Sequence, residues 1–187
     1  QPLFDTGGAA LVANGEIYNF IELREALVVE DFVTASDCEP PLKLYRRDGL
    51  AFTDSLRGMY ALAIHDISAR RLILARDPFG IKPLYYADTP SGFAFASEPQ
   101  ALIRAGLVEP RVHRGAATEL LQLQFSTGRN TVFEGIDRVL PGETMVVAII
   151  LSPSFGYFWD VLTNSNSNTI ASNIALQFPE AAGVSVD

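Results

Sequence analysis

The hexapeptide Asn14-Gly15-Glu16-Ile17-Tyr18-Asn19 holds the residue types best suited to chemistry in this chain. Asn14 carries a neutral carboxamide that donates hydrogen bonds, and Gly15, lacking a Cβ, lets a ligand approach its backbone closely. A side-chain amide beside an unencumbered backbone amide is the pair of donors that a developing oxyanion needs. Glu16 and Tyr18 add polar groups at alternate positions, where they could hold the charged end of a small substrate. The plain alternative is a strand-to-helix turn, because Asn-Gly is a common tight-turn dipeptide and Asn19 would serve as N-cap of the next helix. Cys38 is a second candidate, but a thiol attacks at neutral pH only with a base beside it or a lowered pKa. The histidines, His65 and His113, fall in unrelated elements, so Cys38 is expected to be a small, partly buried structural cysteine. His65-Asp66 looks superficially like a metal pair; without a carboxylate cluster nearby it reads as a strand-end histidine, and no metal site is expected.

Two elements must position the hexapeptide. The apolar run over residues 9–13 enters it as a strand, and residues 20–27 leave it as a helix with Phe20, Leu23 and Leu27 on one face and Glu22, Arg24 and Glu25 on the other. Residues 32–34 are expected as a short strand ending in the turn Ala35-Ser36-Asp37, with Asp37 available to cap the following helix. That helix holds Pro40 and Pro41 in its first turn and stops at Gly49. Next come a strand over 56–66, apolar on both faces, a return strand over 71–76, and a hairpin of 83–87 with 92–96 joined through Asp88-Thr89-Pro90-Ser91. Between them, Asp77 and Pro78 set a turn that Gly80 relaxes, with Arg76 pairing locally. Ser97 is expected to cap a short helix through Ala105, a further helix covers 115–122, and Leu140-Pro141-Gly142 turns the chain into a strand over 144–151. Hairpins flanked by amphipathic helices make the class α+β. Past Trp159-Asp160 the composition shifts to Asn and Ser, so residues 1–160 are expected as the domain and 161–187 as a linker or poorly ordered tail.

A chain of 187 residues, nearly half of them apolar, is one domain's worth and needs no staples to build a core. The net charge of -8, with Lys43 and Lys82 the only lysines, argues against a nucleic-acid partner. No apolar run approaches the roughly 20 residues that span a bilayer, so no membrane partner is expected. A single cysteine excludes an internal disulfide framework and suits a reducing compartment, here taken as the cytoplasm.

Downstream of the hexapeptide stand Phe32-Val33-Thr34-Ala35-Ser36-Asp37-Cys38-Glu39, Leu56-Arg57-Gly58-Met59-Tyr60-Ala61, Ala75-Arg76-Asp77-Pro78-Phe79-Gly80-Ile81-Lys82-Pro83-Leu84-Tyr85-Tyr86 and Phe95-Ala96-Ser97-Glu98. In that order and at those separations, from the first residues to about Gly142, the chain resembles the glutaminase domain of glutamine-hydrolysing asparagine synthetase. That domain is a class II glutamine amidotransferase of the N-terminal-nucleophile hydrolase fold. The resemblance implies a four-layer αββα sandwich and an amino-terminal cysteine nucleophile whose own α-amine is the base. Residue 1 is Gln1, so the expectation is an N-terminally truncated domain that does not hydrolyse glutamine as it stands. The resemblance assigns Asn14 and Gly15 as oxyanion donors in the substrate pocket, Glu16 and Asp37 as further substrate contacts, and Asp37 as the anion facing the α-amino group of glutamine. Family members usually carry threonine where Cys38 stands, and the resemblance implies that the loop holding Lys82 lies towards the synthetase domain.

The implied partners are L-glutamine and a synthetase domain in cis or in trans, with a homodimer allowed. No cofactor is expected in this domain. ATP and Mg are expected only in the synthetase domain, whose glycine- and serine-rich pyrophosphate loop does not occur in this sequence. Two rivals stay open: a non-catalytic binding or regulatory module of the same fold, and the glutaminase domain of an amidotransferase serving amino-sugar or purine-precursor synthesis. Glu16-Ile17-Tyr18-Asn19 and Lys82-Pro83-Leu84-Tyr85-Tyr86 fit the asparagine-synthetase pattern better.

Overall fold

The computed structural model describes residues 1–27, 31–149, 158–162 and 173–177. The chain divides into two compact units, one formed by residues 1–82 with 141–149 and the other by 83–140 and the remaining C-terminal residues. In the first unit, β1 (Leu3–Phe4), β2 (Ala9–Ile17), β3 (Gly58–Asp66), β4 (Arg71–Arg76) and β8 (Thr144–Ala148) form one antiparallel sheet in the order β1-β2-β3-β4-β8. Against it pack α1 (Phe20–Ala26), α2 (Pro40–Asp48) and a 3-10 turn, Gly49–Ser55. The core joins Leu11, Ala13 and Ile17 of β2 and Tyr60, Leu62 and Ile64 of β3 to Leu23, Leu42, Leu44 and Phe52. The alternate residues Ala10, Val12, Ala61, Ala63, Leu72 and Leu74 are also buried, as expected of a strand apolar on both faces.

Several boundaries differ from expectation. β2 runs through Ile17 because its pairing with β3 continues to Ile17 opposite Gly58, so Asn14-Gly15 lies inside a strand and not in a tight turn. Asn19 occupies the N-cap position of α1, but its side chain serves a distant loop: Nδ2 donates to the Ser55 carbonyl at 2.9 Å and Oδ1 accepts from the Arg57 N–H at 2.9 Å. No strand forms over 32–34, because the Val33 and Thr34 amides are taken by the Glu39 carboxylate. Glu39, not Asp37, stands at the N-cap of α2, whose first turn holds both prolines and whose C-cap is Gly49. β3 begins at Gly58 and not at Leu56.

The Asp5–Arg46 ion pair joins a buried polar cluster around Asp66, which accepts from Tyr45 Oη at 2.7 Å, Ser68 Oγ at 2.6 Å and the Ala69 N–H at 3.0 Å. Burial opposes the charge on Asp66, yet these donors and the Arg46 guanidinium outweigh it and bring the carboxyl pKa down to about 2.

The second unit holds the hairpin β5 (Tyr85–Thr89) and β6 (Gly92–Ala96), with β7 (Asp137–Arg138) pairing on β5. It also holds α3 (Pro99–Arg104) and α4 (Arg114–Leu123). α3 has Glu98, not Ser97, at its N-cap, and α4 is capped by His113, whose Nδ1 accepts from the Ala116 N–H at 3.1 Å. The strands β9 (Phe158–Leu162) and β10 (Asn173–Gln177) pair antiparallel. The rest of the expected tail, Glu30 and Leu151 lie outside the described residues.

Candidate functional site

The backbone of β2 near Gly15 is organised by an acid on another loop. Tyr60, opposite Gly15, accepts the Asp77 N–H at 2.9 Å on its carbonyl and donates its own N–H to Asp77 Oδ2 at 3.3 Å, so both groups face β4. In an antiparallel ladder such groups alternate in direction, and the amide of Gly15 therefore faces away from β3. β1 pairs only with Ala10 and Leu11, which leaves this stretch of the β2 edge to side chains. Ala13 takes the Gln1 carboxamide, donating to its Oε1 at 2.6 Å and accepting from its Nε2 at 2.9 Å. The Ile17 N–H donates to Asp37 Oδ2 at 2.8 Å. The Gly15 amide points to the same edge, between those two, and its carbonyl accepts a weak bond from Cys38 Sγ at 3.9 Å.

Gly15, Glu16 and Asp37 are thus brought together around Cys38, although Asp37 lies twenty residues from Ile17 in sequence. Asp37 does not cap α2; its carboxylate reaches back to β2. Asn14 is half-buried and its neighbour Glu16 is exposed, on the opposite alternation of β2 from the core residues Ala13 and Ile17. The requirement for glycine at 15 has a source the sequence did not reveal. A Cβ there would lie 2.2 Å from the Met59 carbonyl oxygen and 2.7 Å from Tyr60 Cα, and one on Gly58 would lie 2.2 Å from the Glu16 carbonyl oxygen. Two strands crossing this closely exclude side chains from both sides of the crossing.

Cys38 is buried among these groups and its thiol is pushed up from the ordinary 9.0 to about 12. Burial is the main cause, and the neighbouring Asp37 and Glu16 carboxylates add to it. A thiol so placed stays protonated and is no nucleophile at neutral pH. His65 is buried in β3, where desolvation lowers its pKa against the opposing pull of Asp66. No group of three or more metal-ligating side chains occurs among the described residues. Two cavities of the second unit, of about 230 and 430 Å³, share His113 and Asn130 in their linings and include none of the four predicted site residues.

Two acids support the site through contacts that sequence did not reveal: the reach of Asp77, expected only to set a turn, to the Tyr60 amide, and the hold of Glu39 on the 33–34 backbone. Asp77, fully buried, accepts the backbone amides of Phe79, Ile81 and Lys82, each at 3.0 Å, besides that of Tyr60. With Arg76 donating to the Gly80 and Lys82 carbonyls, it makes the 77–82 loop the locally paired turn expected, with Gly80 at φ 63. Glu39 reads in sequence as an ordinary acid at a helix start, yet it gathers the amides of residues 33 and 34.

Residues 1–151 match the family of the glutamine amidotransferase domain. The chain belongs to that family. It is 43% identical to asparagine synthetase [glutamine-hydrolyzing] 2 of Bacillus subtilis over 103 residues, which cover 54% of this chain and 14% of that protein. It is 53% identical to putative asparagine synthetase [glutamine-hydrolyzing] 1 of Methanocaldococcus jannaschii over 93 residues, 49% of this chain and 17% of that protein. In three dimensions it is similar to glutamine phosphoribosylpyrophosphate amidotransferase of B. subtilis, a structure complexed with ADP and GMP. The TM-score is 0.57 at 25% identity, covering 79% of this chain and 30% of that one. The matched part of this chain therefore spans less than a third of the length of each of these proteins. Their likeness bears out the α+β class and the N-terminal-nucleophile hydrolase fold.

Proposed function

We propose that this amidotransferase domain binds L-glutamine for hydrolysis to glutamate and ammonia, the ammonia passing to a synthetase partner that amidates an activated aspartate. The Asn14 carboxamide and the Gly15 N–H face the oxygen of the substrate amide, Asp37 faces its α-ammonium, and Glu16 contributes a further polar contact. A thiolate adds to the carboxamide carbon, and the negative charge that forms on oxygen is met by those two donors. The C–N bond then breaks, the leaving nitrogen takes a proton to depart as ammonia, and water cleaves the thioester to glutamate. Cys38 is not that thiolate, because its proton is held far above neutral pH. Any ATP and Mg requirement falls to the synthetase step, and no residue of this chain is assigned to them.

The observation supporting the reading is the edge of β2: the Gly15 amide is directed to the side on which Asp37 is held by the Ile17 N–H at 2.8 Å. The test is titration of the 187-residue chain with L-glutamine, followed by backbone amide resonances. Shifts centred on Gly15, Ile17 and Asp37, weakened in Asp37→Ala and absent with D-glutamine, are expected. Binding that leaves those amides unmoved would refute the assignment.

A further inference from the structure

Asp37 sits in a stretch, residues 31–39, that has neither strand nor helical structure of its own, so something other than a backbone ladder must fix its carboxylate. Two charged side chains do so together, one anionic and one cationic. Glu39, buried at the start of α2, accepts the Val33 and Thr34 N–H groups at 2.7 Å each and the Thr34 hydroxyl at 2.6 Å. Arg24, in the last turn of α1, donates from Nη2 to the Thr34 carbonyl at 2.7 Å and the Ser36 carbonyl at 2.8 Å. Its guanidinium carbon lies 4.2 Å over the Phe32 ring, and Nη2 is 3.9 Å from Glu39 Oε2. The loop is thus pinned at residues 32, 33, 34 and 36, and Asp37 follows the last pin directly.

Stability alone is a poor account of this arrangement. Arg24 Nε is buried and has no hydrogen-bond partner among the described residues, a donor desolvated without return. The guanidinium spends its donors on loop carbonyls and not on Asp37, so the Asp37 carboxylate, which accepts from the Ile17 amide and the neutral Cys38 thiol, keeps its charge and the capacity to meet a cation. We propose that Arg24 and Glu39 are positioning residues that clamp the 31–38 loop so that Asp37 meets the α-ammonium of the substrate. This inference rests on the glutamine reading above. The clamp acts on one end of the ligand only, because Asn14 and Gly15 at the amide end belong to β2 and are paired to β3 independently of the loop.

The experiment uses the full 187-residue chain and compares L-glutamine with 4-carbamoylbutanoate, the same molecule without its α-amino group. Arg24→Met keeps an unbranched apolar side chain of similar reach and removes the donors together with the guanidinium over Phe32. It is expected to weaken L-glutamine binding by about tenfold while leaving the deamino compound within about twofold, the loss of one charge-assisted contact. Independently of any ligand, hydrogen exchange at the Ile17 amide should rise by about tenfold relative to Leu11 and Ala13, because its acceptor becomes mobile. Glu39→Gln should give both effects in the same direction and carries the test if Arg24→Met does not fold. If the unaltered chain binds neither compound the glutamine reading fails, and exchange at Ile17 still decides the clamp. Equal weakening of both compounds, or Ile17 exchange that does not rise ahead of its neighbours, overturns it.

Discussion

Cys38 offers the sharpest quantitative test, because it is the only thiol in the chain and stands beside the candidate site. Its pKa rises from 9.0 to about 12 through burial first and then through the Asp37 and Glu16 charges. That rise corresponds to about a thousandfold less thiolate at any pH below the ordinary value. At about pH 8 the thiolate fraction is then ~10⁻⁴, against ~10⁻¹ for the unfolded chain. Alkylation by iodoacetamide proceeds through the thiolate, so the native chain should react at least about a thousandfold more slowly than the same chain in urea. The rate is read by mass spectrometry across a pH series, and Asp37→Asn should speed it by removing the negative charge beside the thiol. Native labelling within about tenfold of the unfolded rate, or an apparent midpoint below about 9, would refute the reasoning and return Cys38 to candidacy as a nucleophile. Glutamine turnover by the chain that disappears in Cys38→Ser would do the same.

Gly15→Ala and Gly58→Ala should each destabilise the fold by about 2–4 kcal/mol in urea titration, since each methyl meets backbone at 2.2 Å that has no flexible end to move aside. A loss below about 0.5 kcal/mol at either position would show that the crossing relaxes freely. Asp66 gives a pH dependence of definite sign. Its folded pKa, about 2, lies below its ordinary 3.8, so it contributes about 2 kcal/mol above that ordinary value, and the contribution is lost as pH falls through about 2. The stability gap between the native chain and Asp66→Asn should therefore shrink from about pH 4 to about pH 2 in urea titrations, and a constant gap contradicts the assignment.

What could be read from sequence was what neighbours in sequence decide. The helix over Phe20–Ala26, the strands Arg71–Arg76 and Gly92–Ala96, the two prolines opening Pro40–Asp48 and the glycine ending it all follow from apolar spacing and turn chemistry within a few residues. Failures came where a distant partner claimed a group that local rules assign nearby. Asn19 and Asp37 have the side chains of helix caps, but the loop before β3 takes the first and the Ile17 amide takes the second. A strand over 32–34 was plausible from composition until Glu39 removed two of its amides.

Gly15 shows why such partners matter to the site and not only to the fold. Locally it signals room for something; the structure fills that room with the Met59 carbonyl, and the strand crossing it permits keeps Ile17 opposite Gly58 to the very end of β2. Pairing that far along holds the alternation of amides in phase, so that 13, 15 and 17 all present the same edge to Gln1, Cys38 and Asp37. A one-residue slip would turn the Gly15 and Ile17 amides into the ladder and away from Asp37. Gly58 lies on the neighbouring strand and contributes no donor to the pocket, yet a methyl there pushes on the Glu16 carbonyl oxygen at 2.2 Å and should disturb the Gly15 and Ile17 amides before it disturbs Leu11. Backbone resonances of a folded Gly58→Ala chain would show that gradient, and uniform shifts along β2 would detach the crossing from the site.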